Sequence, residues 1–512
     1  MSHGPAQADR KRGNNEPVDT GKTIAFSING VPCTAYKGET VIQAAQRAGV
    51  DIPHFCWHHD PSVPGNCRIC MVEVEQDKGD PWFDIGCNMP VTEGMRVLTE
   101  SDTVKKLRRE TMQFITLNHP VDCGICNKAG ECILQDYHYE HNGKASMSID
   151  RKNHATKFFP LSDRIMLDNE RCIMCTRCVR FTHEVSESHA LAAVYRGDHS
   201  LIRPAEDANF NEDPYSDNVI DICPVGALLS RKDLDHARVW YTKATPSVCP
   251  GCSRGCSINL WHRKPEWALK ALDPQLNTRI ERVTPLENAE VNGPWICNKA
   301  RDLAAIFERP RATQALVQGT PVDLDEAIAR AAGFVQNARR VVVLVSSWGS
   351  NEELEAFAAA FASRLGQSVS AYAKPDHLPQ PGEVVEDHLL IRADKNPNLT
   401  AAAARFPLLP ADPAPALAGA DVVLVWGEGV PQAILPAGAT IIRLDGYAQE
   451  HNAAAHVFIP LSIQTERSGH YTNFEGAVTP FSACFEPKAP VAHAETLFGR
   501  LAGTVSLAGV GA

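Results

Sequence analysis

The sequence predicts a multidomain chain of two fold classes. Small α+β units built around cysteine loops come first, and a longer α/β domain follows. Three observations carry this. Fifteen of the 17 cysteines, with one histidine, form four groups of four within the first 297 of 512 residues. Residues 22–49 read as strand, tight turn, strand and helix. Beyond residue 301 short apolar runs alternate with helical stretches, which implies a parallel sheet.

The elements follow in order. Met1 to Lys22 is polar, and residues 1–21 read as a disordered tail. Thr23-Ile-Ala-Phe-Ser-Ile28 alternates, Asn29-Gly30 is a hairpin turn signal, and Val31 to Ala35 is the return strand. Thr40 caps a helix that runs through Ala48 and stops at Gly49. Met71 to Val74 reads as a further strand. Hairpin, helix and cysteine loop together suggest a ferredoxin-like β-grasp domain over residues 22–100. Ser101 or Asp102 caps a helix over 101–118 with Val104, Leu107, Met112 and Ile115 as apolar positions, opening a second unit at 101–144. A third unit spans 145–245 and a fourth 246–300. In 301–512, Val341–Val345, Asp421–Val425 and Thr440–Leu444 are strands, Glu352–Leu365 is a helix, and the Pro-rich stretch 374–416 is an irregular excursion.

Composition narrows the function. The net charge of −11 argues against a general nucleic-acid binder. A disulfide scaffold would imply secretion, yet the N-terminus has no apolar signal core, and Asp9, Glu16 and Asp19 speak against a transit peptide. No apolar run reaches the ~18 residues of a membrane span. The expected compartment is reducing, with cysteines that hold metal.

Cys56, Cys67, Cys70 and Cys87 make C-x10-C-x2-C-x16-C, four thiolates that suffice for a [2Fe-2S] centre. Gly65 lets the backbone fold close to the sulfurs, and Arg68 is expected near them, where it would favour the reduced form. His54, His58 and His59 flank Cys56, but four thiolates already complete that group. His119, Cys123, Cys126 and Cys132 make H-x3-C-x2-C-x5-C. Three cysteines leave one corner of a [4Fe-4S] centre open, and imidazole can replace a thiolate on iron.

Cys172, Cys175, Cys178 and Cys223 make C-x2-C-x2-C-x44-C-P, which fits another [4Fe-4S] centre. A two-cluster ferredoxin would carry further cysteines at positions that here hold Thr182, Asp213, Ser216 and Val219. One cluster is therefore expected to survive, with apolar packing in place of the second. Cys249, Cys252, Cys256 and Cys297 make C-x2-C-x3-C-x40-C and also fit [4Fe-4S]. Zinc is the alternative for the first and fourth groups. Cys33 and Cys484 remain as buried thiols.

Asn118-His-Pro-Val-Asp-Cys with Gly130-Glu-Cys-Ile-Leu-Gln135 is similar to the electron-input subunits of respiratory complex I, NAD-linked hydrogenases and formate dehydrogenases. With the Cys249 group added, the chain resembles the large iron-sulfur subunit family of bacterial NADH-quinone oxidoreductases. Cys297-Asn-Lys-Ala-Arg301, Asn351-Glu-Glu353, Ile459–Glu466 and Tyr471-Thr-Asn-Phe-Glu-Gly476 are similar to molybdopterin oxidoreductases, so an abridged domain of that type is implied for 301–512. Where relatives carry a metal-binding cysteine this chain reads Gly366-Gln-Ser-Val-Ser370, and no molybdenum cofactor is expected. Gly427-Glu-Gly429 is a weak nucleotide signal.

The resemblance implies one [2Fe-2S] and three [4Fe-4S] clusters and no substrate chemistry on this chain. It implies a partner flavoprotein that oxidises NADH, further peripheral iron-sulfur subunits, and a membrane arm reached indirectly. Electrons would run from the Cys56 group to the Cys172 group to the His119 group, with the Cys249 group off that route and structural. The place implied is peripheral, on the cytoplasmic side of the inner membrane. The alternative is the matching subunit of a soluble NAD-linked hydrogenase or formate dehydrogenase.

Overall fold

The computed structural model describes residues 18–206, 208–268, 277–362, 369–487, 491 and 493–508. The chain divides into two compact units between Trp240 and Tyr241.

The first unit opens on a five-stranded mixed sheet. β1 (Asp19–Ile28) and β2 (Val31–Lys37) form an antiparallel hairpin. Its turn, Asn29-Gly30, has φ of 51° and 78°, the left-handed pair that a two-residue hairpin requires. α1 (Val41–Arg47) buries Val41, Ile42, Ala44 and Ala45 on the sheet. β3 (Met71–Glu75), β4 (Trp82–Ile85) and β5 (Arg96–Leu98) complete the order β2-β1-β5-β3-β4, with β5 parallel to β1. This is the β-grasp arrangement expected. One boundary is corrected: β1 starts at Asp19, inside the expected tail, because Asp19 pairs with Lys37 beyond a bulge.

α2 (Asp102–Thr116) follows, with the Ser101 hydroxyl accepting from Val104 N at 3.3 Å. Its buried side is Val104, Met112 and Arg108; the guanidinium lies 3.1 Å from Glu100. α3 (Ile133–Tyr137) passes into a π-helical turn at His138–Asn142. The rest of the unit is short pieces around loops. β6 (Phe159–Pro160), β7 (Ile165–Leu167) and β10 (Leu228–Ser230) form one sheet, and β8 (Leu191–Val194) pairs with β9 (Leu201–Pro204). α4 (Arg177–Glu184) and α5 (Asn218–Ile222) follow or precede cysteines.

In the second unit, β11 (Thr242–Val248), β12 (Ser257–Arg263) and β13 (Ile280–Pro285) make an antiparallel sheet. α6 (Asn298–Arg301) and α7 (Leu303–Phe307) lead to the α/β part. There β14 (Ala315–Val317), β15 (Thr320–Val322), β16 (Val341–Ser346), β17 (Val369–Tyr372), β18 (Val422–Trp426), β19 (Thr440–Asp445) and β20 (Val457–Pro460) lie in the order β15-β14-β20-β19-β18-β16-β17. The five from β17 to β20 are mutually parallel, as expected of strands spaced by helices. Alternate residues of β16 and β18 face two separate cores, Val343 and Leu424 in one, Leu344 and Val423 in the other. Burial on both faces is why these strands read as unbroken apolar runs. α8 (Leu324–Asn337) and α9 (Asn351–Phe357) pack on the first of these cores, where Phe357 stacks on Trp426 at 5.2 Å. β21 (Gly469–Thr472) and β22 (Val478–Phe481) form a final hairpin.

Two further expectations are corrected. The excursion 374–416 is not wholly irregular, since α10 (Leu399–Arg405) lies within it behind the buried Asn398. The helix expected to Leu365 is α9 plus a π turn at Ala358–Ala362, and residues 363–365 lie outside the described residues.

His262 on β12 gives this unit a pH dependence. It is 1 % exposed, and Nε2 pairs with the Thr245 hydroxyl at 2.9 Å. Burial, then Lys243, holds its pKa down to about 4. The unfolded chain therefore takes up this proton first as pH falls. The contribution is complete above about 6.5 and is lost as pH falls through about 4, on the order of 3 kcal/mol. Urea unfolding across that window should show the loss, and His262→Asn should flatten the slope.

Candidate metal centres

The first group sits where the β-grasp loops meet. Cys56, Cys70 and Cys87 are buried and Cys67 half-buried. The Cys56 thiol is hydrogen-bonded with those of Cys67 and Cys87, and Cys87 with Cys70. Those bonds pull Cys56 down to about 2 and also lower Cys70, while Cys67 and Cys87 are pushed up. The four thiols thus interact in a row, Cys67 with Cys56, Cys56 with Cys87 and Cys87 with Cys70. Gly65 has φ of 64°, and a Cβ there would lie 2.9 Å from Ile85 Cδ1. The histidines lie alongside. His54 is edge-on to Trp57, and His58 stacks on His59 at 4.3 Å. Arg68 is exposed, so solvent screens its charge.

The cations buried beside this group come instead from α4. Arg180 donates to the Cys56 carbonyl at 2.5 Å, to the Ser62 carbonyl and, at 3.4 Å, to the Cys175 carbonyl. Arg177 donates to Trp57 O at 2.5 Å and Ile222 O at 3.1 Å. These two residues tie the Cys56 loop to the Cys172 group. Sequence reasoning missed them, because nothing local links residue 180 to residue 56.

Cys172, Cys175, Cys178 and Cys223 line one cavity of ≈ 370 Å³, mouth included, walled by Leu167, Ile202 and Val225 among others. Burial pushes Cys172 up to about 12 and Cys175 to about 11, and it raises Cys178 as well. Met174 and Thr176, between these cysteines, have φ of 51° and 58°. Such left-handed residues cost of order 1 kcal/mol each and persist only where surrounding structure fixes them.

Of the positions where a two-cluster ferredoxin would carry further cysteines, three hold polar side chains. Thr182, Asp213 and Ser216 are buried together with Val219. Asp213 accepts from the Ser186 and Ser188 hydroxyls, both at 2.7 Å, and from Tyr215 N at 2.7 Å. A buried carboxylate needs such donors, and the loop supplies them.

His119, Cys123, Cys126 and Cys132 line a cavity of ≈ 280 Å³, mouth included. Burial, then Arg171, pushes His119 down to about 4, so the imidazole is neutral at pH 7. Its Nδ1 is buried without a hydrogen-bond partner. A neutral ring with an unpartnered nitrogen beside three thiols fits a metal ligand. Asp122 anchors the loop through Lys157 at 2.7 Å and Arg171 at 3.1 Å. The segment after Cys223 forms the back wall. Pro224 O accepts from Ile133 N at 3.1 Å, and a Cβ on Gly226 would lie 2.2 Å from Cys126 Sγ. One strip of chain thus carries a residue of the Cys172 group and walls the His119 group.

In the second unit, Cys249 and Cys256 are buried, and Cys252 and Cys297 half-buried. Burial first, then the neighbouring thiols, pushes Cys249 and Cys256 well up, and burial takes Cys297 to about 11. The excursion runs across this group. Asp394 O accepts from Ser253 N at 2.9 Å, Lys299 pairs with Glu383, and Glu383 meets His377 at 2.9 Å. The C-terminal motif closes the other side, with Asn473 Nδ2 on Arg254 O at 3.2 Å and Phe474 N on Ser253 O at 3.1 Å. Gln464 Nε2 reaches Val248 O at 2.7 Å.

The two leftover thiols are half-buried, not buried: Cys33 lies on β2, and Cys484 is pushed up to about 12 by burial. Gly427 and Gly429 have φ near 90°, and Cβ atoms there would strike Ser346 Oγ and Lys374 Cε. Close packing accounts for that G-x-G. Residues 366–368 of the stretch that replaces a metal-binding cysteine lie outside the described residues.

Gly226→Ala should force Cys126 out of its cavity. The expected result is loss of iron from the His119 centre alone, read as metal content and EPR signal, with the Cys56 signal kept.

Four family models match in sequence order. Residues 21–102 match a 2Fe-2S iron-sulfur cluster binding domain, and 108–146 the NADH-ubiquinone oxidoreductase-G iron-sulfur binding region. Residues 162–229 match the ferredoxin-like domain of NADH-quinone oxidoreductase subunit 3, and 242–308 the molybdopterin oxidoreductase Fe4S4 domain. The chain is 35% identical over 278 residues to the NADH-quinone oxidoreductase G subunit of Rickettsia felis, covering 54% of this chain and 39% of that one. It is 37% identical over 298 residues to the mitochondrial NADH dehydrogenase [ubiquinone] iron-sulfur protein 1 of Solanum tuberosum, covering 58% and 38%. With the G subunit from Streptomyces coelicolor it shares 34% over 307 residues, 59% and 34% of the two chains. The matches thus span less than two fifths of the relatives' own length. Among solved structures, an NAD+-reducing [NiFe]-hydrogenase in the H2-reduced state matches at 28% identity and TM-score 0.37, over 41% of this chain and 87% of that chain. The resemblance read from the cysteine motifs is borne out, and over more than half of its length this chain is a relative of the NADH-quinone oxidoreductase G subunits.

Proposed function

We propose that the chain is the electron-carrying iron-sulfur subunit of a proton-translocating NADH-quinone oxidoreductase. A flavoprotein partner would oxidise NADH and deliver electrons, and further iron-sulfur subunits would take them toward quinone. Cys56, Cys67, Cys70 and Cys87 would hold a [2Fe-2S] cluster. His119 with Cys123, Cys126 and Cys132, Cys172 with Cys175, Cys178 and Cys223, and Cys249 with Cys252, Cys256 and Cys297 would each hold a [4Fe-4S] cluster. When bound, these groups supply one-electron storage and transfer. The chain's residues bind them, exclude water and set the charge around them.

One observation carries the reading. Three of the four groups are joined in series within the first unit: the α4 arginines link the Cys56 and Cys172 groups, and Pro224 to Gly226 links the Cys172 and His119 groups. That order suits conduction. Thr182, Asp213, Ser216 and Val219, where further cysteines would stand, support this reading over a soluble hydrogenase or formate dehydrogenase subunit, whose members usually keep the second ferredoxin cluster. Among the described residues no helix is long and apolar enough to cross a membrane. We place the chain peripherally, on the cytoplasmic face of the inner membrane.

The assignment predicts about fourteen irons per chain, one binuclear and three tetranuclear centres. Iron analysis with EPR on the anaerobically purified chain checks it, and stoichiometric zinc at any group would remove that cluster. His119→Ala should damage only its own centre. His119→Cys should restore a cluster of lower potential, because a thiolate adds one negative charge. Spectra unchanged by His119→Ala would refute the ligand.

A further inference from the structure

Arg177 and Arg180 are 5 % and 9 % exposed. Among the described residues, the hydrogen-bond acceptors of both are neutral oxygens: the carbonyls of Cys56, Trp57, Ser62, Cys175 and Ile222, and the Thr176 hydroxyl. The carboxylate nearest on their own helix, Glu184, is engaged by Ser62 N at 2.6 Å and by the Ser62 hydroxyl. Burying two guanidiniums without a carboxylate on either is costly. The groups that favour the charged form of Arg180 are the cysteines on either side of it, Cys175 and Cys56, and then Glu184. Each arginine also spans the gap. Arg180 joins Cys56 O to Cys175 O, and Arg177 joins Trp57 O to Ile222 O, the residue before Cys223.

We infer that Arg177 and Arg180 form a cationic bridge between the Cys56 and Cys172 groups that fixes the spacing of their ligand loops and raises the reduction potential of both centres. This rests on the reading above that both groups hold iron-sulfur clusters. A cluster in four thiolates is anionic and gains a further negative charge on reduction. Two positive charges held in a dry site between such centres favour the reduced form of each. Carbonyl bonds keep the charges there whatever the oxidation state. Arg68, beside the first group in sequence, faces water and has little leverage. The arginines act through the centres, so they are positioning residues.

The test is an EPR-monitored redox titration of the iron-loaded full chain. Arg180→Gln should lower the midpoint potentials of the Cys56 and Cys172 centres together. The expected size is on the order of a tenfold drop in each one-electron reduction equilibrium, about 59 mV. The His119 and Cys249 centres should not move. Arg180→Lys keeps the charge and should recover most of the shift, while Arg68→Gln should leave all potentials in place. Arg177→Gln, which leaves the Arg180 bonds intact, gives the same readout should Arg180→Gln fail to load. Unmoved potentials in a fully loaded variant, or a Lys variant shifted as far as Gln, would overturn the bridge. A wild-type chain without the two signals would instead remove the cluster assignment beneath it.

Discussion

A thiol as deeply buried as Cys178 does not ionise by itself. Burial and three neighbouring thiols all push its proton on, and Cys172, Cys175, Cys249 and Cys256 share the condition. Iron takes thiolates, so only a metal charge can hold these groups in the form the sites need. The rest of the structure follows from that constraint. Ligands must be drawn from distant segments into dry cavities, and metal binding then supplies folding free energy to the loops it closes. It also explains the sparse regular structure around Cys172. β6, β7 and β10 have two or three residues each, too few to hold those loops by sheet pairing alone.

Charge is balanced differently at each group. His119 contributes no charge, since burial and Arg171 keep its ring neutral. Nearby Asp122 is lowered by its hydrogen bonds to Lys157 and Arg171, so its negative charge is already paired. Between the Cys56 and Cys172 groups the arrangement is reversed, with cations that lack carboxylates. A site one anion short and a pair of sites flanked by surplus cations are two routes to the same end. With the proposed clusters bound, both would offset the negative charge of a reduced centre in a medium of low polarity.

The sequence was legible where chemistry is local. The x2 spacings, the Asn29-Gly30 turn, the Ser101 cap and the apolar runs of β16, β18 and β19 each report on neighbours along the chain. It was opaque where closure in space decides. Arg177 and Arg180 act on a loop more than a hundred residues away, and no periodicity marks them. Gly226 looks like any glycine after Pro224-Val225 until the Cys126 sulfur is seen against it. Arg68 adjoins the first group in sequence, but its exposure, which decides how far its charge reaches, is not written there. The missing ferredoxin cysteines were legible in the same local way, but the contacts of Asp213 with Ser186 and Ser188, more than twenty residues earlier, were not.

The second unit uses family-like motifs for packing. Ser350 caps α9 so that Glu353 meets Arg467 at 3.2 Å, and Asn351 reaches the Thr472 hydroxyl at 3.0 Å. Asn473 and Phe474, just beyond, hold the Cys252 to Cys256 loop, Asp394 holds it from the excursion, and the Glu383–Lys299 pair holds the helix after Cys297. The Cys249 group is therefore walled by segments from residues 248 to 474 of one unit. Contacts of that reach tie a metal site to the whole α/β core: loosening the β21 end or the excursion would loosen the cysteine loop. The same coupling runs in reverse. Metal bound by Cys249, Cys252, Cys256 and Cys297 would clamp the loop between β11 and β12 to the start of α6. That is a structural task, and it needs no electron to pass.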